Sequence, residues 1–143
     1  WPVVEANECR EAGRHVALVP NAPEAPIESL SGGNQQKVVL SRWIRIAPEV
    51  LILEDPTAGV DVGAKNEIYR LLARQLAAGQ AILLISTDFE EVAALCHRAL
   101  VFRNGRIESE IGQKAMSVEA VTLASSMADN SAQNAIPVGA KGH

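Results

Sequence analysis

Three features of this sequence predict an α/β fold built mainly on a parallel sheet. Val50-Leu51-Ile52-Leu53 and Ala81-Ile82-Leu83-Leu84-Ile85 are short continuous apolar runs, the pattern of strands buried on both faces of a parallel sheet. Between them Ala64, Ile68, Leu71, Leu72 and Leu76 recur at helical spacing. Strand, helix, strand with short links implies a parallel pair and a right-handed crossover. The third feature is Asn104-Gly105, a strong two-residue hairpin turn. It joins an apolar run over 99–102 to an alternating segment over 106–111, so an antiparallel hairpin is expected at the sheet's edge.

Taken in order, residues 3–16 are helix-compatible, although the apolar face is weak and Gly13 interrupts it. Pro20, Pro23 and Pro26 break regular structure and make an extended connector. A helix opens near Asn34, with Val38, Val39, Trp43 and Ile46 as its apolar positions and Pro48 as its stop. Gly79 is a C-terminal stop for the helix after Asp61. Thr87-Asp88-Phe89-Glu90 fits a capping box, with Thr87 as N-cap and Glu90 three residues later. The helix it opens carries Phe89, Val92, Ala93 and Cys96 on one face. Residues 117–127 read as a last short helix. From Ala128 the residues are small and polar without periodicity, and disorder is expected. The chain thus divides into 1–28, 29–127 and a tail over 128–143.

The chain has 143 residues, room for one domain with a real core. Hydrophobic residues at 48% and charged residues at 21% describe a soluble globular protein. A net charge of −4 gives no hint of nucleic-acid binding. No apolar run approaches the ~18 residues of a membrane span, and Trp1 is not followed by a basic-then-apolar leader pattern. Cys9 and Cys96, with His15, His97 and His143, lack metal-ligand spacing. Reduced cysteines in a cytoplasmic setting fit that usage.

Chemistry concentrates at two stretches. In Leu30-Ser31-Gly32-Gly33-Asn34-Gln35-Gln36-Lys37, a serine and two bare glycines open a helix. Helix N-terminal amides and the positive dipole end make that an anion site. The stretch resembles the signature loop of the ATP-binding cassette family, in the form typical of bacterial sugar importers. The second stretch, Glu54-Asp55-Pro56-Thr57-Ala58-Gly59-Val60-Asp61, follows a buried strand, where open α/β sheets bind ligands. Its acids resemble the family's Walker B motif, and residues 58–61 resemble the D-loop. The resemblance runs from about Arg14 to Met127. It implies an α/β P-loop NTPase domain, ATP and Mg2+ as cofactors, and a second cassette stacked head to tail. Ser31, Gly32 and Gly33 would then contact ATP held by the partner, with Asn34 and Gln35 supporting the loop. Asp61 would cross to the partner or cap the next helix, two compatible roles. Further implied partners are transmembrane permease subunits and, indirectly, a periplasmic sugar-binding protein, placing the protein on the inner face of the bacterial membrane.

The sequence departs from the family in three places. No G-x-x-x-x-G-K-[ST] occurs, so the phosphate-cradling loop and its lysine are missing from these residues, and the chain looks like the C-terminal part of a cassette. The acidic pair is inverted, Glu54 before Asp55. Glu54 would reach magnesium and Asp55 would position the attacking water, each with altered side-chain length. A misplacement of about 1 Å can cost roughly 100-fold in rate. Thr87 occupies the position of the switch histidine, where helix capping is the simpler role. Sugar-importer ATPases are similar in carrying two cassettes, the second without that histidine, so the chain looks like the end of a second cassette. Lys37, Arg42 and Arg45 fall at helical spacing and read as a solvated face. Two other functional readings stand beside an importer ATPase. One is a non-catalytic remnant that completes a partner's ATP site; the other is a DNA-repair ATPase, against which the Asn-Gln-Gln-Lys ending and the lack of basic surface argue.

Overall fold

The computed structural model describes residues 3–133, which form two compact units dividing between Ile85 and Ser86. The first unit holds helix α1 (Val3–His15), helix α2 (Gly32–Arg45), strand β1 (Val50–Glu54), helix α3 (Val62–Ala77) and strand β2 (Ala81–Ile85). The second holds helix α4 (Phe89–Leu95), the hairpin β3 (Arg98–Arg103) and β4 (Arg106–Gly112), and helix α5 (Val118–Gln133).

β1 and β2 run parallel, in register from Val50 opposite Ala81 to Glu54 opposite Ile85. α3 packs on β2 and against α2, and α2 also packs on α1. The core of this unit comprises Val16, Leu40, Leu51, Leu53, Ile68, Leu71 and Leu72. α3 ends in a Schellman motif. The Gln80 amide donates to the Gln75 carbonyl at 3.1 Å and the Gly79 amide to Leu76 at 2.9 Å. Gly79 at φ +90° takes the left-handed position that a side chain would strain.

One expectation about this sheet is corrected. Only Leu51 and Leu53 of β1 are buried, while Val50 and Ile52 are exposed on the other face, as are Leu83 and Ile85 of β2. The continuous apolar run therefore marks a sheet with one uncovered apolar face among the described residues. Composition alone cannot report which neighbours are present to cover a strand.

In the second unit the turn at Asn104-Gly105 has φ of +46° and +78°, the doubly positive geometry that two-residue hairpins require. The strands are antiparallel with a bulge after Val101. Ala99, Ile111 and Val121 form its core, with Phe89, Val92 and Met116 packed around them. Among the described residues the strands pair as two sheets of two, one parallel and one antiparallel. α5 continues past Met127 to Gln133, so the expected disorder does not begin at Ala128; alanines at 128 and 132 favour helix. The remainder of that tail lies outside the described residues.

Candidate functional site

α2 begins as its sequence dictates. Ser31 is its N-cap, with extended backbone, and its Oγ accepts from the Asn34 amide at 3.4 Å and from Asn34 Nδ2 at 3.0 Å. The Asn34 side chain also grips the Pro-rich connector. Its Nδ2 donates to the Val19 carbonyl at 2.5 Å and its Oδ1 accepts from the Val19 amide at 3.4 Å. Gln35 Nε2 donates to the Leu30 carbonyl at 2.9 Å. Both amide residues thus bond the backbone on either side of the loop. Ser31 and Gly32 are exposed, and the first amides of a helix have no carbonyl within it to bond.

The two glycines differ. A Cβ on Gly32 would meet nothing nearer than the Gly59 carbonyl oxygen at 3.9 Å, so that position is open. On Gly33, which is buried, it would lie 2.3 Å from the Ala64 Cβ. Gly33 is therefore where α2 crosses the first turn of α3, a packing requirement separate from any ligand. Asp61 is the N-cap of α3, its Oδ1 accepting from the Ala64 amide at 2.9 Å. Signature and D-loop stretches consequently lie side by side, joined at Gly33 and Ala64.

The buried face of α2 corrects the sequence reading. Gly33, Lys37 and Leu40 form it, whereas Val39, Trp43 and Ile46 are exposed, Ile46 at 68%. Lys37, expected on a solvated face, is 3% exposed. Its Nζ donates to the Ala17 carbonyl and to Glu67 Oε2 of α3, each at 2.7 Å. A buried ammonium is tolerated when its charge is paired and its protons are bonded, and its stem packs as hydrocarbon. The overlooked signal was spacing. Position 37 lies four residues after Gly33 and three before Leu40, on one helical stripe.

The strand-end acids sit differently. Glu54 ends β1 exposed, on the same uncovered sheet face as Val50 and Ile52. Asp55 turns the chain at φ +42°, its amide donating to the Ile85 carbonyl at 2.8 Å. Aspartate tolerates that left-handed backbone better than longer side chains do, which is a local reason for the shorter acid at this position. Pro56 and Thr57 beyond it are buried. Glu54 and Asp55 lie in the first unit and Thr87 in the second.

Thr87 is not the cap of α4. Asp88 is, its Oδ1 accepting from the Glu90 and Glu91 amides at 3.0 and 3.1 Å. A carboxylate satisfies both amides at a positive helix end better than a hydroxyl. Glu91, not Glu90, is the third helical residue. Its buried carboxylate accepts from Ser86 Oγ at 2.7 Å, and that oxygen accepts from the Asp88 amide at 3.0 Å. The capping pair is thus shifted by one residue, and Ser86 Oγ stands between the Asp88 amide and the Glu91 carboxylate. Near the end of α4, burial and then the Glu91 charge push the Cys96 thiol above its ordinary range.

The fold is that of part of an ATP-binding cassette domain. An ADP-bound, post-hydrolysis dimeric cassette named MJ0796 superposes with a TM-score of 0.65 at 22% identity, over 76% of this chain and 48% of that one. A cassette named MJ1267 gives 0.72 at 22% identity, over 86% and 49%. No protein-family model matches the chain. Sequence relatives are specific nonetheless. The ribose import ATP-binding protein RbsA of Chelativorans sp. (strain BNC1) is 56% identical over 88 residues, 62% of this chain and 17% of the relative. RbsA 3 of Rhizobium meliloti (strain 1021) is 41% identical over 133 residues, 93% of this chain and 26% of the relative. The chain belongs to the ATP-binding cassette family, and these relatives are ribose import ATP-binding proteins. It spans about a sixth to a quarter of the length of the curated relatives it matches.

Proposed function

We propose that this chain is part of the ATP-hydrolysing subunit of a bacterial sugar importer and supplies the signature loop to ATP held by a second cassette. One observation carries the reading: α2 presents a capped, exposed N-terminal end at Ser31 and Gly32, held from behind by Asn34 and Gln35. The residues fit a phosphate group, since amides at a positive helix end and a position open at Gly32 suit an anion. The ligand, when bound, supplies the phosphoanhydride bond that is broken. Ser31, Gly32 and Gly33 bind and orient its terminal phosphate, and Asp61, at the end of the D-loop, caps α3 beside them. Glu54 would hold Mg2+ together with nucleotide phosphates, in keeping with magnesium's habit of using one or two carboxylates. Asp55 would orient the attacking water, and Thr87 stands where the family's switch residue acts. The chain's further partners on this reading are permease subunits, at the inner face of the membrane; among the described residues no helix is long and apolar enough to cross a membrane.

The test is steady-state ATPase activity of the assembled transporter in membranes. Ser31→Arg puts a bulky cation where backbone amides meet the phosphate, and turnover falls at least about 100-fold, the scale of losing one preorganised donor. Undiminished turnover would refute the reading.

A further inference from the structure

We propose that Lys37 is a positioning residue that sets the aim of the signature loop by locking α2 to both of its neighbours. The inference rests on the reading that Ser31 and Gly32 face a nucleotide. Lys37 bonds the Ala17 carbonyl on one side and Glu67 of α3 on the other, both at 2.7 Å. Ala17 adopts φ +50° just after α1, where the Leu18 amide donates to the Gly13 carbonyl at 2.9 Å. Two residues on, Val19 is clasped through both backbone polar atoms by Asn34, whose side chain also donates to Ser31 Oγ. Glu67 lies on the helix whose cap is Asp61.

A closed circuit results. It runs from Ser31 through Asn34 and Val19 to Ala17, across Lys37 to Glu67, along α3 to Ala64, and back at Gly33. Lys37 is the bond between its two halves. Lysine suits that place because one compact nitrogen with three rotatable donors serves acceptors on two different elements without the space a planar guanidinium needs. Residue 37 touches no ligand position. It acts through Ser31, by fixing how the first turn of α2 stands against the first turn of α3.

The test compares the full chain with Lys37→Met, which keeps the buried stem and removes the ammonium. Hydrogen exchange at the Asn34 and Gln35 amides accelerates about tenfold or more, while Ile68 to Leu72 in α3 stays within about twofold, the sign of local rather than global opening. Uniform acceleration would mean a merely structural role and would overturn the proposal, as would unchanged exchange at 34 and 35. Should Lys37→Met fail to fold, Glu67→Ala, at a half-exposed position, must show the same local pattern at smaller amplitude, and its absence counts against us equally. In the assembled transporter, Lys37→Met lowers kcat about tenfold with KM for ATP within about twofold, a loss confined to the transition state. If Ser31→Arg silences turnover and Lys37→Met alters neither kcat nor exchange, the lysine proposal fails alone. If Ser31→Arg is tolerated, the functional reading fails, and the exchange data still decide what Lys37 does.

Discussion

The N-terminal end of α2 and the C-terminal end of β1 each carry a motif that reads as nucleotide chemistry, yet the chain supports them unequally. At α2, Ser31 has a cap partner, Asn34 and Gln35 bond backbone on either side, and Gly33 is fitted against Ala64. At β1, Glu54 stands exposed on a sheet face whose apolar residues are themselves uncovered. An end held by its own side chains is preorganised before any ligand arrives. An end that projects from an open sheet depends on whatever covers that sheet. The contrast separates a motif that is a local structure from one that is a position in a larger assembly.

The sharpest way to break the comparison is kinetic. Against the loss expected of Ser31→Arg, Asp55→Asn in the same transporter should cost under about tenfold, below the 100- to 10,000-fold span of a well-placed base. The measurement is steady-state ATPase activity of both variants beside the parent. Near-complete loss from Asp55→Asn with Ser31→Arg tolerated would reverse the assignment.

The uncovered sheet face offers a second contrast. The isolated chain should self-associate through Val50, Ile52, Leu83 and Ile85, since contiguous exposed apolar surface beside an open edge is an aggregation liability. Sedimentation velocity should show oligomers that Ile52→Lys shifts toward monomer. A monodisperse parent would sink this expectation.

The glycines sharpen the α2 side. Gly33→Ala places a methyl 2.3 Å from the Ala64 Cβ and should cost about 1–3 kcal/mol, the range for overpacking. Gly32→Ala has open space and should stay within about 0.5 kcal/mol. Thermal unfolding of the two variants gives the difference, and equal midpoints would contradict the crossing at Gly33.

Smallest is the effect at Cys96. Its raised thiol range means that the folded state holds the proton more tightly than the unfolded chain does. Stability therefore falls as pH rises past the ordinary thiol range, and alkylation of Cys96 near pH 8.5 should lag that of exposed Cys9. Iodoacetamide labelling followed by peptide mass spectrometry reads the ratio, and faster labelling of Cys96 would overturn it.

How much of this was legible in the residues depends on how local each cause is. The helix stop at Gly79, the hairpin at Asn104-Gly105 and the caps at Ser31 and Asp61 are decided within a few residues, and the structure has all of them. The buried face of α2 was not legible from apolar residues, because a glycine and a lysine take the central places there and Trp43 points to solvent. Choosing between Thr87 and Asp88 needed the helix phase to one residue, finer than side-chain pattern provides. Coverage of the sheet was not legible from the apolar runs, being a property of neighbours; only the resemblance to part of a cassette pointed to exposed strand faces.

The contact between position 33 and position 64 ties together two places far apart in the chain. Ala64 gives its amide to the Asp61 cap while its methyl occupies the space that a side chain on residue 33 would need. Neither site is free to change alone. Across a collection of related chains, a residue larger than alanine at 64 should appear only with a displaced helix or a rebuilt cap. A larger residue at 33 should appear only with glycine at 64. The D-loop thus limits which signatures this fold can evolve, before any nucleotide has selected among them.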